Sequence, residues 1–205
     1  MRTVGVLALQ GDFSAHAAAL SRAGLVVREV RSAGEIAACD GLALPGGEST
    51  TMWRLMEGTG IEQAIVALAA AGKPILATCA GAILLARSVR NPDRAGLGVL
   101  PLCAVRNAYG RQLDSAVVRL TDLDAAALGT GPLEAVFIRA PKVADLGGDV
   151  EVLARRGGDP VLFRHRNVLA ATFHPELSAD PRIHALFAGM FAPSAPSTAS
   201  VPRAS

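Results

Sequence analysis

Lys73-Pro-Ile-Leu-Ala-Thr-Cys-Ala-Gly-Ala-Ile-Leu-Leu-Ala86 is the stretch on which the fold turns. The apolar run opened by Pro74 reads as a buried strand, and the apolar run Ala82 to Ala86 reads as a helix. Cys79 sits between them, followed by the small residues Ala80 and Gly81. A nucleophile between a strand and a helix, with small neighbours, is the pattern of a sharp elbow that projects its side chain outward. The helix N-terminus adds free N–H donors and a partial positive charge, which favour a thiolate and a nearby oxyanion. The same segment also accommodates an ordinary buried cysteine, which is what most free cysteines are.

Near the other end, Leu169-Ala-Ala-Thr-Phe173 reads as a buried strand running into His174-Pro175-Glu176. A cysteine nucleophile needs a base, and the base needs an orienting carboxylate. Pro175 disfavours a helical His174, and in an extended segment His174 and Glu176 point to the same side. A solvated turn is the competing reading of this tripeptide. A third segment, Asp40-Gly-Leu-Ala-Leu-Pro45, ends a strand before Gly46-Gly47-Glu48-Ser49-Thr50-Thr51. Two glycines let a backbone N–H approach a ligand closely, so the amides of Gly47 and Ala80 are the candidate oxyanion hole. The loop also suits a plain strand-to-helix turn, with Ser49 or Thr50 capping a helix through Met56.

Leu44-Pro-Gly-Gly-Glu-Ser49, Thr78-Cys-Ala-Gly81 and Phe173-His-Pro-Glu176, in this order, resemble the class I, triad-type glutamine amidotransferases. Leu9-Gln-Gly11, Arg106-Asn-Ala-Tyr-Gly-Arg-Gln112 and Phe137-Ile-Arg-Ala-Pro141 narrow the resemblance to the glutaminase subunits of pyridoxal phosphate synthase complexes. It covers roughly residues 2 to 192. The family often has glycine two residues before the nucleophile, where this chain has Ala77. The resemblance implies L-glutamine as substrate, Cys79, His174 and Glu176 as a catalytic triad, and an ammonia-consuming synthase as protein partner. It places the grip on glutamine at Gly47, Glu48, Ser49, Arg106, Ile138 and Arg139. Glu48 suits an ammonium, and Arg106 or Arg139 a carboxylate, although Arg139 also fits a surface ion pair. Gln10 could touch substrate or partner, or cap its strand.

At 205 residues the chain suits one domain, residues 1–192, with a tail 193–205 of mostly Ala, Pro, Ser and Thr that is expected to be disordered. Hydrophobic residues make up 51%, yet no run approaches a membrane span. The run Val4 to Leu9 ends at Gln-Gly-Asp without a cleavage site and reads as a strand, not a signal peptide. Three cysteines, Cys39, Cys79 and Cys103, without framework spacing argue for a reducing, cytoplasmic setting. The net charge of +2 gives no reason to expect nucleic-acid binding. No metal-ligand spacing or phosphate loop is present, so neither metal nor cofactor is expected. Arg164-His165-Arg166 reads as the solvated end of a hairpin.

Strands expected at 3–9, 25–30, 41–44 and 75–77 alternate with helices at 13–23 and 61–71. The pattern implies an α/β fold with three layers, a mostly parallel central sheet and helices on both faces. Segments 102–106, 116–120, 135–138, 150–154, 161–164 and 168–173 are strand-like with short turns, which fits an antiparallel extension. Asp180-Pro181 reads as N-cap and first residue of a last helix reaching about Phe191. Two other functions stay open: the glutaminase of a different amidotransferase complex, and a stand-alone cysteine-elbow hydrolase.

Overall fold

A computed structural model describes residues 2–108 and 115–191. The tail 193–205 and the end of the Arg106–Gln112 motif lie outside the described residues. The first half alternates as expected: β1 (Thr3–Leu7), α1 (Phe13–Arg22), β2 (Val26–Val30), α2 (Ala33–Ala37), β3 (Gly41–Leu44), α3 (Ser49–Met56), α4 (Ile61–Ala70), β4 (Ile75–Thr78) and α5 (Ala80–Leu85). Strand-rich chain follows: β5 (Ala86–Arg90), β6 (Arg94–Ala95), β7 (Leu100–Val105), β8 (Ser115–Leu120), β9 (Asp122–Leu123), α6 (Ala125–Leu128), β10 (Leu133–Ile138), β11 (Lys142–Ala144), β12 (Glu151–Arg156), β13 (Asp159–His165) and β14 (Val168–Ala171). A 3-10 turn over Pro175–Leu177 and α7 (Arg182–Gly189) complete the described chain.

The main sheet has eight strands in the order β2-β1-β3-β4-β14-β13-β12-β9. Its first five strands are parallel, and β13, β12 and β9 extend it antiparallel. Alternate residues of each central strand enter opposite cores, as the period of two requires. Leu42, Leu44, Ile75, Ala77, Val168 and Ala170 face α2 to α5, packing with Ile36, Met52, Ile65 and Leu84. Val4, Val6, Ala43, Leu76, Leu169 and Ala171 face α1 and α7, packing with Leu20, Ile183 and Phe187. This near-continuous apolar character is what a sheet covered on both faces demands.

The antiparallel extension is smaller than expected. β8 and β10 leave the main sheet as a separate ribbon, and β7 joins β11, β5 and β6 in a four-stranded sheet. The chain from Ala86 pairs in parallel with β7 instead of prolonging the helix after Cys79, so α5 is only 6 residues long. β1 stops at Leu7, where its pairing with Val30 ends, and the chain turns at Gly11 (φ 90°). The last helix starts one residue later than expected. Pro181 is its N-cap, while the Asp180 carboxylate accepts from the Arg182 N–H and thus still closes the first turn. Arg166 does form an exposed hairpin turn, but His165 is buried and Arg164 pairs with Glu151.

Candidate active site

Four neighbouring parallel strands, β1, β3, β4 and β14, each end in one of the singled-out segments. Ligand sites of open α/β sheets form at these carboxyl edges. Leu44 pairs with Ala77, which lays the Gly46-Gly47 loop beside Cys79. Thr78 pairs with Ala171, and the Cys79 N–H donates to the Ala171 carbonyl at 2.9 Å, which brings in the His174 segment. Residues 95 positions apart therefore meet because their strands are ladder neighbours.

Cys79 occupies φ 46°, ψ −104°, a region that a non-glycine residue rarely enters. Such a backbone costs roughly 1–3 kcal/mol and persists only where its surroundings impose it. Here the clamp is visible: β4 holds one side, and the Ile83 N–H donates to the Cys79 carbonyl on the other. A β-carbon on Gly81 would overlap the Leu44 carbonyl oxygen, so the small residue after the elbow lets α5 cross β3. Ala80 opens α5, so its N–H is one of the donors that lack an intrahelical acceptor. Gly46 is packed nearly as tightly: a β-carbon there would overlap His174 Cε1 and lie 3.2 Å from Cys79 Cβ.

His174 Nδ1 donates to Glu176 Oε1 at 2.7 Å, and the ring also hydrogen-bonds the Cys79 side chain. The geometry differs from the extended segment expected from sequence. Pro175 starts a 3-10 turn, and this turn, not strand alternation, folds Glu176 back under His174. Burial works against a charged His174, but its hydrogen bonds to Cys79 and Glu176 outweigh that and raise it from 6.5 to about 10. Burial likewise opposes the Glu176 carboxylate, and hydrogen bonds from His16 and His174 lower it from 4.5 to about 2. An imidazolium between a carboxylate and a thiolate is the protonation pattern of an activated cysteine.

The cleft in front of Cys79 is lined by Gln10, Gly47, Glu48, Ser49, Ile83, Arg106, Asn107, Ile138, Arg139 and His174. Every expected substrate-side residue is there. Cys79 Sγ lies 3.9 Å from the Ile138 carbonyl oxygen. Glu48, rather than Ser49 or Thr50, caps α3, its Oε2 accepting from the Thr51 N–H at 2.8 Å. Its Oε1 accepts from Arg106 Nη2 at 3.1 Å, while Arg106 Nη1 reaches Thr50 Oγ1. Glu48 and Arg106 are therefore partners of each other instead of two independent poles. Arg139 is held at φ 44° on the rim, and among the described residues no hydrogen bond or ion pair engages its guanidinium. The surface ion pair weighed for it is not formed with any described residue. Gln10 Oε1 accepts from the Glu48 N–H at 2.7 Å, so Gln10 ties the β1 loop to the Gly-Gly loop and does not cap its strand.

Sequence reading missed Asn107, although it stands within the Arg106–Gln112 motif, and His16. A signal for His16 existed. On α1 the buried positions are His16, Ala19 and Leu20, so a histidine stands in an otherwise apolar stripe. His16 is fully buried, with Nε2 at 2.9 Å from Thr78 Oγ1 and 3.1 Å from Glu176 Oε2.

Residues 6–193 match the SNO glutamine amidotransferase family. Among similar proteins, the pyridoxal 5'-phosphate synthase subunit PdxT of Acidothermus cellulolyticus is 50% identical, covering 92% of this chain and 93% of that protein. The protein of the same name from Koribacter versatilis is 48% identical, covering 91% and 94%. A crystal structure of a glutamine amidotransferase superposes with TM-score 0.83 at 46% identity, covering 91% of this chain and 97% of that one. PurLQS from Thermotoga maritima, at 16% identity and TM-score 0.63 over 92% of this chain, shares the fold alone.

Proposed function

Because this chain belongs to the SNO glutamine amidotransferase family, we propose that it is the glutaminase subunit of a pyridoxal 5'-phosphate synthase, hydrolysing L-glutamine and passing the ammonia to the synthase subunit. One observation carries the site assignment: the strained Cys79 elbow stands beside His174, and Glu176 supports that ring at 2.7 Å.

The Cys79 thiolate attacks the side-chain amide carbon, forming a C–S bond and an oxyanion for which the Gly47 and Ala80 amides are the candidate donors. The His174 imidazolium gives its proton to the nitrogen as the C–N bond breaks and ammonia leaves. His174, now neutral, takes a proton from water as it attacks the thioester, and glutamate departs as the C–S bond breaks. Glu176 holds the ring orientation throughout and stabilises its charged form. Arg139, whose guanidinium no described residue engages, suits the substrate carboxylate, while the Glu48–Arg106 pair, with Ser49 and Ile138, shapes the rest of the grip.

Nothing in the described residues consumes ammonia, so uncoupled turnover wastes glutamine. The Gly46-Gly47 peptide carries no side chain to restrain it, and synthase docking against this loop and the Gln10 edge is the route by which activity is switched on. The test is ammonia release from glutamine by the protein alone and mixed with a pyridoxal phosphate synthase subunit. Turnover should rise severalfold on mixing. Cys79→Ala should abolish it, while Cys39→Ala and Cys103→Ala, both buried apolar positions, keep most of it. Turnover by Cys79→Ala at the parent rate rules out the thiolate mechanism, and full activity unchanged by the synthase favours a stand-alone amidohydrolase.

A further inference from the structure

Behind the catalytic face lies a buried polar cluster that the reaction just described does not use. Its centre is His16 on α1, a helix that contributes nothing to the substrate cleft beyond its preceding loop. The His16 side chain is fully enclosed, as is that of Glu176. Nε2 faces two oxygens at once, Glu176 Oε2 at 3.1 Å and Thr78 Oγ1 at 2.9 Å. A carboxylate oxygen accepts and cannot donate, so Nε2 carries the hydrogen, which Thr78 Oγ1 accepts and Glu176 Oε2 faces. Nδ1 has no hydrogen-bond partner among the described residues. The other titratable groups facing His16 are His184 of α7, with ring centroids 5.7 Å apart, and Glu176 itself.

We propose that His16 is a positioning residue: its single Nε2–H holds the free oxygen of the orienting carboxylate and the residue before the nucleophile in one frame. This rests on the glutaminase reading above. Glu176 Oε1 is engaged by His174, whereas Oε2 makes no well-aligned hydrogen bond among the described residues and is faced at 3.1 Å by His16 Nε2. Removing the His16 donor frees the carboxylate to turn about its last torsion, which moves the acceptor that aims His174. Removing it also unties Thr78, the last residue of β4, from α1. The cysteine elbow and the His-Pro-Glu turn, which approach from different strands, are thus registered to each other through a helix on the far side of the sheet. His16 does not line the cleft, so glutamine binding is untouched.

The experiment compares glutamine turnover by His16→Leu and His16→Gln in the synthase complex, with melting temperatures of each. His16→Leu should lose kcat by roughly 10- to 100-fold, the range typical of removing an outer partner that orients a reacting group, with KM nearly unchanged. His16→Gln places an amide N–H close to where Nε2 stood and should retain most of kcat. A parent-like kcat in His16→Leu overturns the proposal. So does an equal loss in both variants accompanied by a lowered melting temperature, because that is the signature of packing alone. Should His16→Leu fail to fold, His16→Gln against His16→Asn decides: the asparagine amide is one methylene short of Glu176 and should lose what glutamine keeps, and equal activity in the two overturns the proposal. A parent complex that releases no ammonia overturns the glutaminase reading itself, a result none of the variant comparisons can mimic.

Discussion

Gly46 separates the nucleophile from its base by the width of a hydrogen atom on its α-carbon. The position has no unusual backbone demand, since its φ is not among the positive ones. What excludes a side chain is contact: a β-carbon there meets His174 Cε1 and Nδ1 and the β-carbon of Cys79. Gly46→Ala should therefore displace His174 rather than unfold the chain. Displacements of about 1 Å at a reacting group cost on the order of 100-fold, so ammonia release should fall by at least tenfold with little change in melting temperature. A variant with parent-like turnover would show that His174 has slack that the packing denies. The three catalytic candidates were legible in the sequence because each sits in a short segment whose neighbours restrict the backbone: small residues after Cys79, proline after His174. The Glu48–Arg106 pairing was not legible, because it joins loops 58 residues apart.

At the scale of elements, α7 is anchored by one side chain. Arg182 forks onto the Asp180 carboxylate, with Nε–Oδ1 at 2.9 Å and Nη2–Oδ2 at 2.6 Å. Its terminal nitrogens also donate to the carbonyls of Leu128, Gly131 and Pro132, which carry the chain from α6 into β10. The guanidinium beside it is the largest influence holding the Asp180 carboxyl below the usual carboxylate range. Lysine cannot reproduce a planar fork with this many donors. Arg182→Lys should lose about 1–3 kcal/mol, the cost of leaving partly buried acceptors without donors. Urea unfolding reads it directly, and an unchanged midpoint would falsify this account of the anchor. Periodicity marked most strands and helices, but it missed α2, β5, β6, β9, α6 and β11. All are five residues or shorter, too brief for a repeat of 3.6 or 2 to register.

For the whole molecule, three buried groups make stability depend on pH from both sides. His184 is pushed down from 6.5 to about 4 by burial, with the neighbouring His16 adding to it. Between those values the unfolded chain binds a proton that the fold refuses, so stability falls as pH drops from 6.5 toward 4. Glu176 acts below that: depressed from 4.5 to about 2, it adds stability above 4.5 that is lost as pH falls through about 2. His174 has the opposite sign. Raised from 6.5 to about 10, it stabilises fully below 6.5, and that contribution is lost as pH rises toward 10. The melting temperature should therefore peak near neutrality, and His184→Leu should flatten the limb between pH 6.5 and 4 while leaving the alkaline limb in place. An acid limb that superimposes on the parent's would remove His184 from the account. The alternation of strand and helix, the covered sheet and the position of each site segment at a strand end are properties that the sequence by itself determined, because each depends on residues within a turn or two of one another. Tertiary structure alone decided the strand order that seats β14 beside β4, the 3-10 turn that brings Glu176 under His174, and the burial of His16 against both. The strand pairing and the His16 contacts span tens of residues. Local preference is blind to them, and they follow from the need to bury both faces of the sheet while every ladder hydrogen bond finds its partner.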